Sequence, residues 1–214
     1  MPNSATLVQA LGAAFCAILC ALSGMGGGRM MIGARTAAWS GNGMPYIMFN
    51  QGVVRIPRSE GWHKIEFEFT NEVETEFSAF LCGFSVSPYQ YYDYRGGSVG
   101  AENWIGYTNR VKTKDGKRHL FSVESLKEGT IDGVIVRTDW KNDFSDLLNF
   151  FVGYHRIGGV SFSGTWIGKV YGVSVYDEDG VLLARYVPDK SGTLKNESTG
   201  SLLTKIGTIY YGEG

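Results

Sequence analysis

The sequence predicts an all-β domain, an antiparallel sandwich of two sheets, preceded by an apolar α-helix. Three observations support this prediction. The 214-residue chain contains 30 glycines and 14% aromatic residues, a composition that suits short strands joined by tight turns. Several segments alternate apolar and polar residues, and turn-forming residues separate them. Residues 1–28, by contrast, carry no charged side chain, and apolar helix-forming residues dominate them.

Alternating hydrophobicity predicts the individual strands. Ile65, Phe67 and Phe69 alternate with Glu66 and Glu68, which indicates a strand with one buried face and one solvated face. Segment 77–86 is apolar on both faces in its middle, as expected for a central strand. Further strands are expected at 119–123, 131–137, 147–153, 161–163, 170–176, 181–187 and 206–211.

The last fifty residues carry the most specific pattern. The strand that ends near Tyr176 is followed by the turn Asp179-Gly180, which predicts a β-hairpin. The second strand of the hairpin ends at Pro188. A polar loop and a glycine-punctuated closing segment at 207–214 complete the chain.

This order of segments resembles a laminin-G-like, concanavalin-type jelly roll. Domains of that type end many tail, head-fibre and other virion-associated proteins of bacteriophages. The resemblance covers about residues 44–214, and it includes earlier segments at 45–52, 62–69, 116–121 and 151–154. Arg118 is a departure, because an aromatic residue usually precedes the histidine in that family's third segment.

The resemblance implies a structural protein of a phage particle, made in the host cytoplasm and displayed on the virion in a tail, head fibre or capsid decoration. Its expected partners are copies of itself, as a trimer or larger homo-oligomer, and other virion proteins. An alternative is a lectin-like carbohydrate-binding module, membrane-anchored or secreted, whose partner is a host-surface glycan. A glycoside hydrolase is a third alternative.

The charge distribution predicts three parts of the chain. Residues 1–28 form an apolar helix and glycine hinge, residues 29–43 a linker, and residues 44–214 the sandwich. One side of the helix repeats at the steps of four and three residues that are typical of helices packed together. These assembly-helix positions are Leu7, Leu11, Ala14, Ile18 and Ala21.

A helix that is apolar on all sides must be buried, and three environments stay open. We favour a bundle of several copies in an assembly, because this agrees with the virion resemblance. The helix could instead contact or cross a bilayer, although residues 6–23 reach only about 27 Å at 1.5 Å per residue. It could also be a secretion signal that is cleaved, although no Lys or Arg precedes it.

Composition excludes several chemistries. The net charge of −1 lacks the basic excess that nucleic-acid binding requires, and three cysteines do not form a disulfide framework. His63, His119 and His155 are far apart in sequence and are expected on the sheet surface, so we expect no metal and no cofactor. Glu66 and Glu68 share a face but are expected to be solvated, and no third acid follows them. We therefore expect no enzymatic activity.

A tyrosine-rich segment is the strongest candidate for binding. It is predicted to form a loop, because arginine and two glycines follow it. Tyrosine rings are rigid and amphipathic, which suits both sugar stacking and contact with a neighbouring subunit. Packing against the domain's own edge is the alternative. The candidate residues are Tyr89, Tyr91, Tyr92, Tyr94 and Trp104.

Overall fold

The computed structural model describes residues 43–74, 79–84, 90–102, 109–136, 144, 149–153 and 166–214. All of these residues belong to one unit, Ser40–Gly214. The helix expected in residues 1–28, nearly all of the linker and the strand expected at 161–163 lie outside the described residues. Within the described ranges, no helix has the length and apolar character needed to cross a membrane.

The described residues form sixteen strands. In chain order these are β1 (Pro45–Asn50), β2 (Val53–Pro57), β3 (Lys64–Asn71), β4 (Ala79–Phe84), β5 (Gln90–Arg95), β6 (Ser98–Glu102), β7 (Val111–Lys112), β8 (His119–Glu124), β9 (Thr130–Ile131), β10 (Val134–Ile135), β11 (Asn149–Gly153), β12 (Ile167–Tyr176), β13 (Leu182–Asp189), β14 (Thr193–Asn196), β15 (Thr204–Ile206) and β16 (Ile209–Glu213).

The strands form two antiparallel sheets. One sheet has nine strands in the order β10-β9-β8-β3-β12-β1-β16, with β13 beside β12 and β14 beside β13. The other has seven strands in the order β15-β2-β11-β4-β5-β6-β7. This arrangement confirms the predicted all-β fold of two antiparallel sheets.

The two sheets share one aromatic core. Ile65, Phe67 and Phe69 of β3 are at most 1% exposed, as their alternation predicts. The Phe67 ring lies 4.9 Å from Phe121 in the same sheet and 6.3 Å from Phe150 in the other sheet. Burying each such ring contributes about 1.5–3 kcal/mol, so contacts of this kind hold the sheets face to face.

Strand β12 lies at the centre of the larger sheet. One edge pairs with β3 from Gly168 to Tyr176, while the other edge pairs first with β1 and then with β13. Val170 pairs with Phe69 and Gly172 pairs with Glu68, so Tyr171 is an extra residue in a β-bulge. The bulge keeps both Val170 and Val173 on the buried face and leaves Tyr171 on the outer face.

The hairpin between β12 and β13 closes as predicted. The Asp177 amide donates to the Val181 carbonyl (3.0 Å), and the Gly180 amide donates to the Asp177 carbonyl (3.1 Å). Gly180 has a φ of 78°, which a glycine adopts readily. Strand β13 continues to Asp189, one residue beyond the proline that was expected to end it.

Two segments expected as single strands each form two strands instead. Residues 131–137 contain the turn Asp132-Gly133, whose φ values of 51° and 78° match the Asp-Gly hairpins that join antiparallel strands. The segment expected as a strand at 206–211 is divided at Gly207-Thr208, because the chain leaves the smaller sheet there and enters the larger one.

Two of the connections through which the chain changes sheets touch each other, at a place that we call the seam. Gln51-Gly52 connects β1 to β2, and Gly207-Thr208 connects β15 to β16. The Asn50 amide donates to the Thr208 carbonyl at 3.1 Å. A Cβ atom on Gly207, whose φ is 80°, would lie 2.2 Å from the Gln51 carbonyl oxygen. A glycine is therefore required at this seam.

The first and last strands of the domain are neighbours. β1 and β16 pair from Pro45 opposite Glu213 to Phe49 opposite Ile209. The Gly214 amide also donates to the Met44 carbonyl at 3.3 Å. The two ends of the sandwich therefore lie side by side in the larger sheet, where β16 ends the strand order next to β1.

Replacing Gly207 with alanine tests the seam. We expect Gly207→Ala to lower the free energy of unfolding by about 2–4 kcal/mol, because backbone strain and a steric clash add together. Gly200 has a similar φ of 74° but open space around its Cβ position. Gly200→Ala should cost about 1 kcal/mol. Urea denaturation measures both, and equal losses would contradict close packing at the seam.

Candidate functional site

Outward side chains of the nine-stranded sheet form a surface that we call the charged face. Residues opposite each other on antiparallel neighbours share a face, so the registers of β1, β3, β12 and β13 place these residues together. Arg118, just before β8, joins them because its guanidinium reaches Tyr171 and Glu68. The members are Tyr46, Lys64, Glu66, Glu68, Arg118, Lys169, Tyr171, Tyr176 and Arg185.

Each tyrosine of the charged face has a cation over its ring. Such a contact is worth about 0.5–1 kcal/mol at an exposed site and more when it is desolvated. Together the three contacts hold long, otherwise mobile cations in defined positions. The pairs, with the distance from the cation to the ring centroid, are Arg118–Tyr171 (3.9 Å), Lys169–Tyr46 (4.8 Å) and Lys64–Tyr176 (5.5 Å).

The ring of Tyr46 is placed by its neighbours on both sides. Its centroid lies 6.0 Å from that of Tyr171, in an edge-to-face arrangement with an interplanar angle of 63°. On the other side the ring covers Gly212, where a Cβ atom would lie 2.4 Å away. Gly212 therefore makes room for a half-buried ring that is fixed but still reaches solvent.

The two carboxylates of β3 lie on the charged face. They were expected to be solvated, but both are partly or largely buried. Glu66 is only 8% exposed, since its carboxylate pairs with the Lys64 ammonium at 2.6 Å and accepts from the Ser122 hydroxyl at 3.2 Å. Glu68 lies 3.9 Å from Arg118. Burial raises the pKa of Glu68, even though the positive charges of Arg118 and Arg185 act in the opposite direction.

A carboxylate held in this way is typical of functional sites, where burial and charge shift pKa values away from their ordinary range. Glu68 lies at the middle of the charged face, opposite Gly172 in the β-bulge region of β12. Gly172 has no side chain to cover it. The centre of the face therefore presents a partly buried acceptor beside the Arg118 donor.

The charged face continues into a pocket of about 390 Å³ at the β8–β10 end of the sheet. This volume lies within the range of small-molecule sites. Partial burial alone would raise the pKa of Glu124, but the Lys127 ammonium and His63, 3.4 Å away, hold it below its ordinary value. The lining residues are Lys64, Ser122, Glu124, Leu126, Lys127, Glu128, Thr130 and Ile135.

The tyrosine-rich segment forms strand β5 and not the expected loop. Tyr92 and Tyr94 are fully buried, so these two rings are not available to a ligand on the surface. Burial, followed by the charge of Glu74, raises the pKa of Tyr94 to about 12. Tyr91 is half-buried and remains a contact candidate.

The remaining candidates from the sequence lie outside the described residues. They are Tyr89, Trp104 and the assembly-helix positions Leu7, Leu11, Ala14, Ile18 and Ala21. Their predicted roles stay predictions.

His119 is buried, in contrast to the surface position expected for it. Only 5% of it is exposed, and each ring nitrogen faces a carboxylate: Nδ1 lies 2.7 Å from Asp132 and Nε2 lies 2.9 Å from Asp115. Asp132 also accepts from the Leu120 amide at 2.8 Å. His119 thereby ties two separate turns together and positions the preceding Arg118. The sequence held one signal for this burial, namely Asp115, an ion-pair partner four residues before the histidine.

The described residues do not assemble a metal centre. No group of three or more His, Cys, Asp or Glu side chains in this part of the chain is placed to hold a metal ion. Cys82 is buried in the core, and this burial raises the pKa of its thiol well above the ordinary value.

Comparison with known proteins supports the fold. No protein-family profile and no curated protein sequence match the chain. One match among solved structures is the crystal structure of a “putative carbohydrate binding protein” from Bacteroides ovatus, with 13% identity over 80% of this chain and a TM-score of 0.52. The match covers 60% of that protein's length. At this identity the likeness concerns the fold alone.

Replacing Glu68 with glutamine tests the electrostatics of the charged face. Since the folded-state pKa is raised, the folded protein binds this proton more tightly than the unfolded chain does. The ionised group therefore weakens folding increasingly as the pH rises through the folded-state pKa. We expect Glu68→Gln to raise stability at pH 7, with a gain that shrinks towards acidic pH.

Glu66 provides the matched control on the same strand and face. Glu66→Gln removes the charge that pairs with Lys64, so we expect it to lower stability at pH 7. Urea unfolding of both variants between pH 4 and pH 8 makes the comparison. A loss of stability in Glu68→Gln at neutral pH would contradict the assignment of Glu68.

Proposed function

We propose that this domain is a carbohydrate-binding module and that the charged face is its binding surface. We also propose that its sandwich is a laminin-G-like, concanavalin-type jelly roll. The observation that carries the proposal is the place of Lys64, which belongs to both features. Its ammonium lies over the Tyr176 ring of the charged face, which also holds Arg118 and the partly buried Glu68, and the same lysine lines the pocket.

The chemistry of this surface suits a sugar. A pyranose has an apolar C–H face and an edge of hydroxyl groups, so it requires a ring to pack on and polar groups beside that ring. The Tyr46 ring is half-buried with the Lys169 ammonium over it, so a sugar would pack on the exposed part of the ring beside that ammonium. Arg118 can donate to hydroxyl oxygens and Glu68 can accept from hydroxyl protons. These groups stand on strands, so little conformational freedom is lost on binding.

The structural neighbour favours the same proposal. The Bacteroides ovatus protein carries the description “putative carbohydrate binding protein”, and its fold is similar to that of this chain. Because a fold can host many functions, the proposal depends on the charged face, and the neighbour supports the fold.

We propose binding without cleavage. Glu66 is engaged by Lys64 and Ser122, which leaves it poorly suited to accept or deliver a proton in a hydrolase. The glycosidase alternative predicts glycan hydrolysis that disappears in Glu66→Gln or Glu68→Gln. We expect no hydrolysis by the wild-type protein.

A glycan array tests the proposed function. We expect wild-type protein to bind a subset of oligosaccharides and Arg118→Ala to bind at least tenfold more weakly, a loss of about 1.4 kcal/mol, because a charged hydrogen bond is removed. Arg55 of β2, exposed on the seven-stranded sheet, is the matched control. Arg55→Ala should bind as wild type does. An array with no bound glycan would refute the proposal.

We further propose that the module is displayed on a phage virion by its N-terminal segment. The motif order in residues 44–214 and the lack of charge in residues 1–28 support this proposal. A helix bundle of three or more copies would bury the apolar segment, and membrane anchoring is the competing arrangement.

Deleting residues 1–28 separates oligomerisation from folding. We expect the 214-residue chain to form a trimer or larger oligomer and the truncated chain to be a monomer with an unchanged β-sheet circular dichroism spectrum. Multi-angle light scattering measures the mass of each form. A truncated chain that keeps the full oligomeric state would contradict the anchoring role.

A further inference from the structure

A strained leucine stands at the edge of the pocket. Leu126 has a φ of 59°, and it is the third residue of the turn in which the Lys127 amide donates to the Glu124 carbonyl at 3.1 Å. Glycine or asparagine usually occupies a turn position of this kind, because a larger side chain clashes with the backbone there. Leu126 is also 59% exposed, so its burial in the folded domain does not offset the strain.

The strained conformation places Leu126 in the pocket wall. Ile135 of β10 lines the same pocket and is 48% exposed. Two partly exposed apolar side chains therefore line a cavity whose other lining residues are polar. Strain of this kind is retained where the surrounding structure imposes it, and it occurs most often at ligand sites.

The polar part of the lining is electrically balanced. The lining contains two cations, Lys64 and Lys127, and two carboxylates, Glu124 and Glu128. The hydroxyls of Ser122 and Thr130 add groups that both donate and accept. A neutral ligand with several hydroxyl groups matches this lining. A charged ligand would be repelled by the lining residues that carry the same sign of charge.

The pocket is supported from beneath by the core. A Cβ atom on Gly129 would lie 2.3 Å from the Tyr92 hydroxyl oxygen, so the buried tyrosine packs directly under this segment. The Gly129 carbonyl accepts from the Val136 amide at 2.9 Å, and the Ser125 amide donates to the His63 carbonyl at 2.7 Å. These contacts hold the lining segments in place before any ligand binds.

We propose that this pocket is the subsite for one neutral pyranose, whose C–H face packs on Leu126 and Ile135 while its hydroxyl groups bond to Glu124 and Lys64. The inference rests on the proposed function, since it names the class of sugar that is bound and the place where one sugar unit of the glycan is held. Lys64 belongs to both the pocket and the charged face, so a longer glycan extends from the pocket across the sheet.

The variant Leu126→Gly separates stability from binding. Glycine accepts a φ of 59° without strain, so we expect a higher melting temperature together with at least fivefold weaker binding. Glu124→Gln should also weaken binding at least fivefold. Leu202 is a matched control, being 54% exposed and outside the pocket. Leu202→Gly should lower the melting temperature or leave it unchanged, with binding as in wild type.

Ligand-observed NMR with the 214-residue chain measures binding, using neutral methyl hexopyranosides and anionic methyl hexuronosides as probes. We expect a neutral probe to bind and to compete with the oligosaccharides found on the array, and the anionic probes not to bind. Preferential binding of the anionic probes would overturn the assignment of sugar class.

The failure of this inference is distinguishable from failure of the proposed function. If Leu126→Gly and Glu124→Gln bind as wild type does while Arg118→Ala loses binding, the charged face is the site and the pocket is not part of it. If wild-type protein binds no saccharide at all, both proposals are overturned. A lower melting temperature in Leu126→Gly would refute the argument from strain.

Discussion

The pairing of β12 with three other strands is the constraint on which the rest of the structure depends. β3 occupies one edge of β12, while β1 and β13 share the other, so this strand determines where each of them lies. The bulge at Tyr171 resets the alternation of side chains along the strand. Without it, either Val170 or Val173 would leave the core, and Tyr171 would not meet the Arg118 guanidinium on the outer face.

The charged face and the core are therefore two sides of the same strands. Every apolar residue that β3 and β12 place inward has a neighbour that points outward, and the aromatic contacts between the sheets keep those strands rigid. The buried His119 adds a second constraint at the edge, because it joins two turns and precedes Arg118. A surface built in this way is organised before a ligand arrives, which lowers the entropy that binding costs.

The sequence predicts the parts of the fold that depend on local pattern. The inward positions of the apolar residues in β3 and the Asp-Gly hairpin after β12 need only neighbouring residues, and the structure confirms both. The predicted exposure of Tyr92 and of Glu66 was wrong. Tyr92 lies in the core, and Glu66 is covered by the neighbouring Lys64 and Ser122 side chains. Both outcomes depend on residues distant in the sequence or on neighbouring strands. The pairing of His119 with Asp132 joins residues thirteen positions apart across a turn, and the strain at Leu126 is a property of the backbone. Neither leaves a pattern in hydrophobicity.

The pairing of β1 with β16 has a consequence for how this domain can be engineered. Because Met44 and Gly214 are joined by a backbone hydrogen bond, a short flexible linker could connect them without deforming either strand. New ends could then be opened at the exposed Asp177–Gly180 hairpin, giving a circular permutant of the sandwich. The same adjacency would let the sandwich be inserted into a surface loop of a host protein, because the two points of attachment in that loop need to be only a short distance apart.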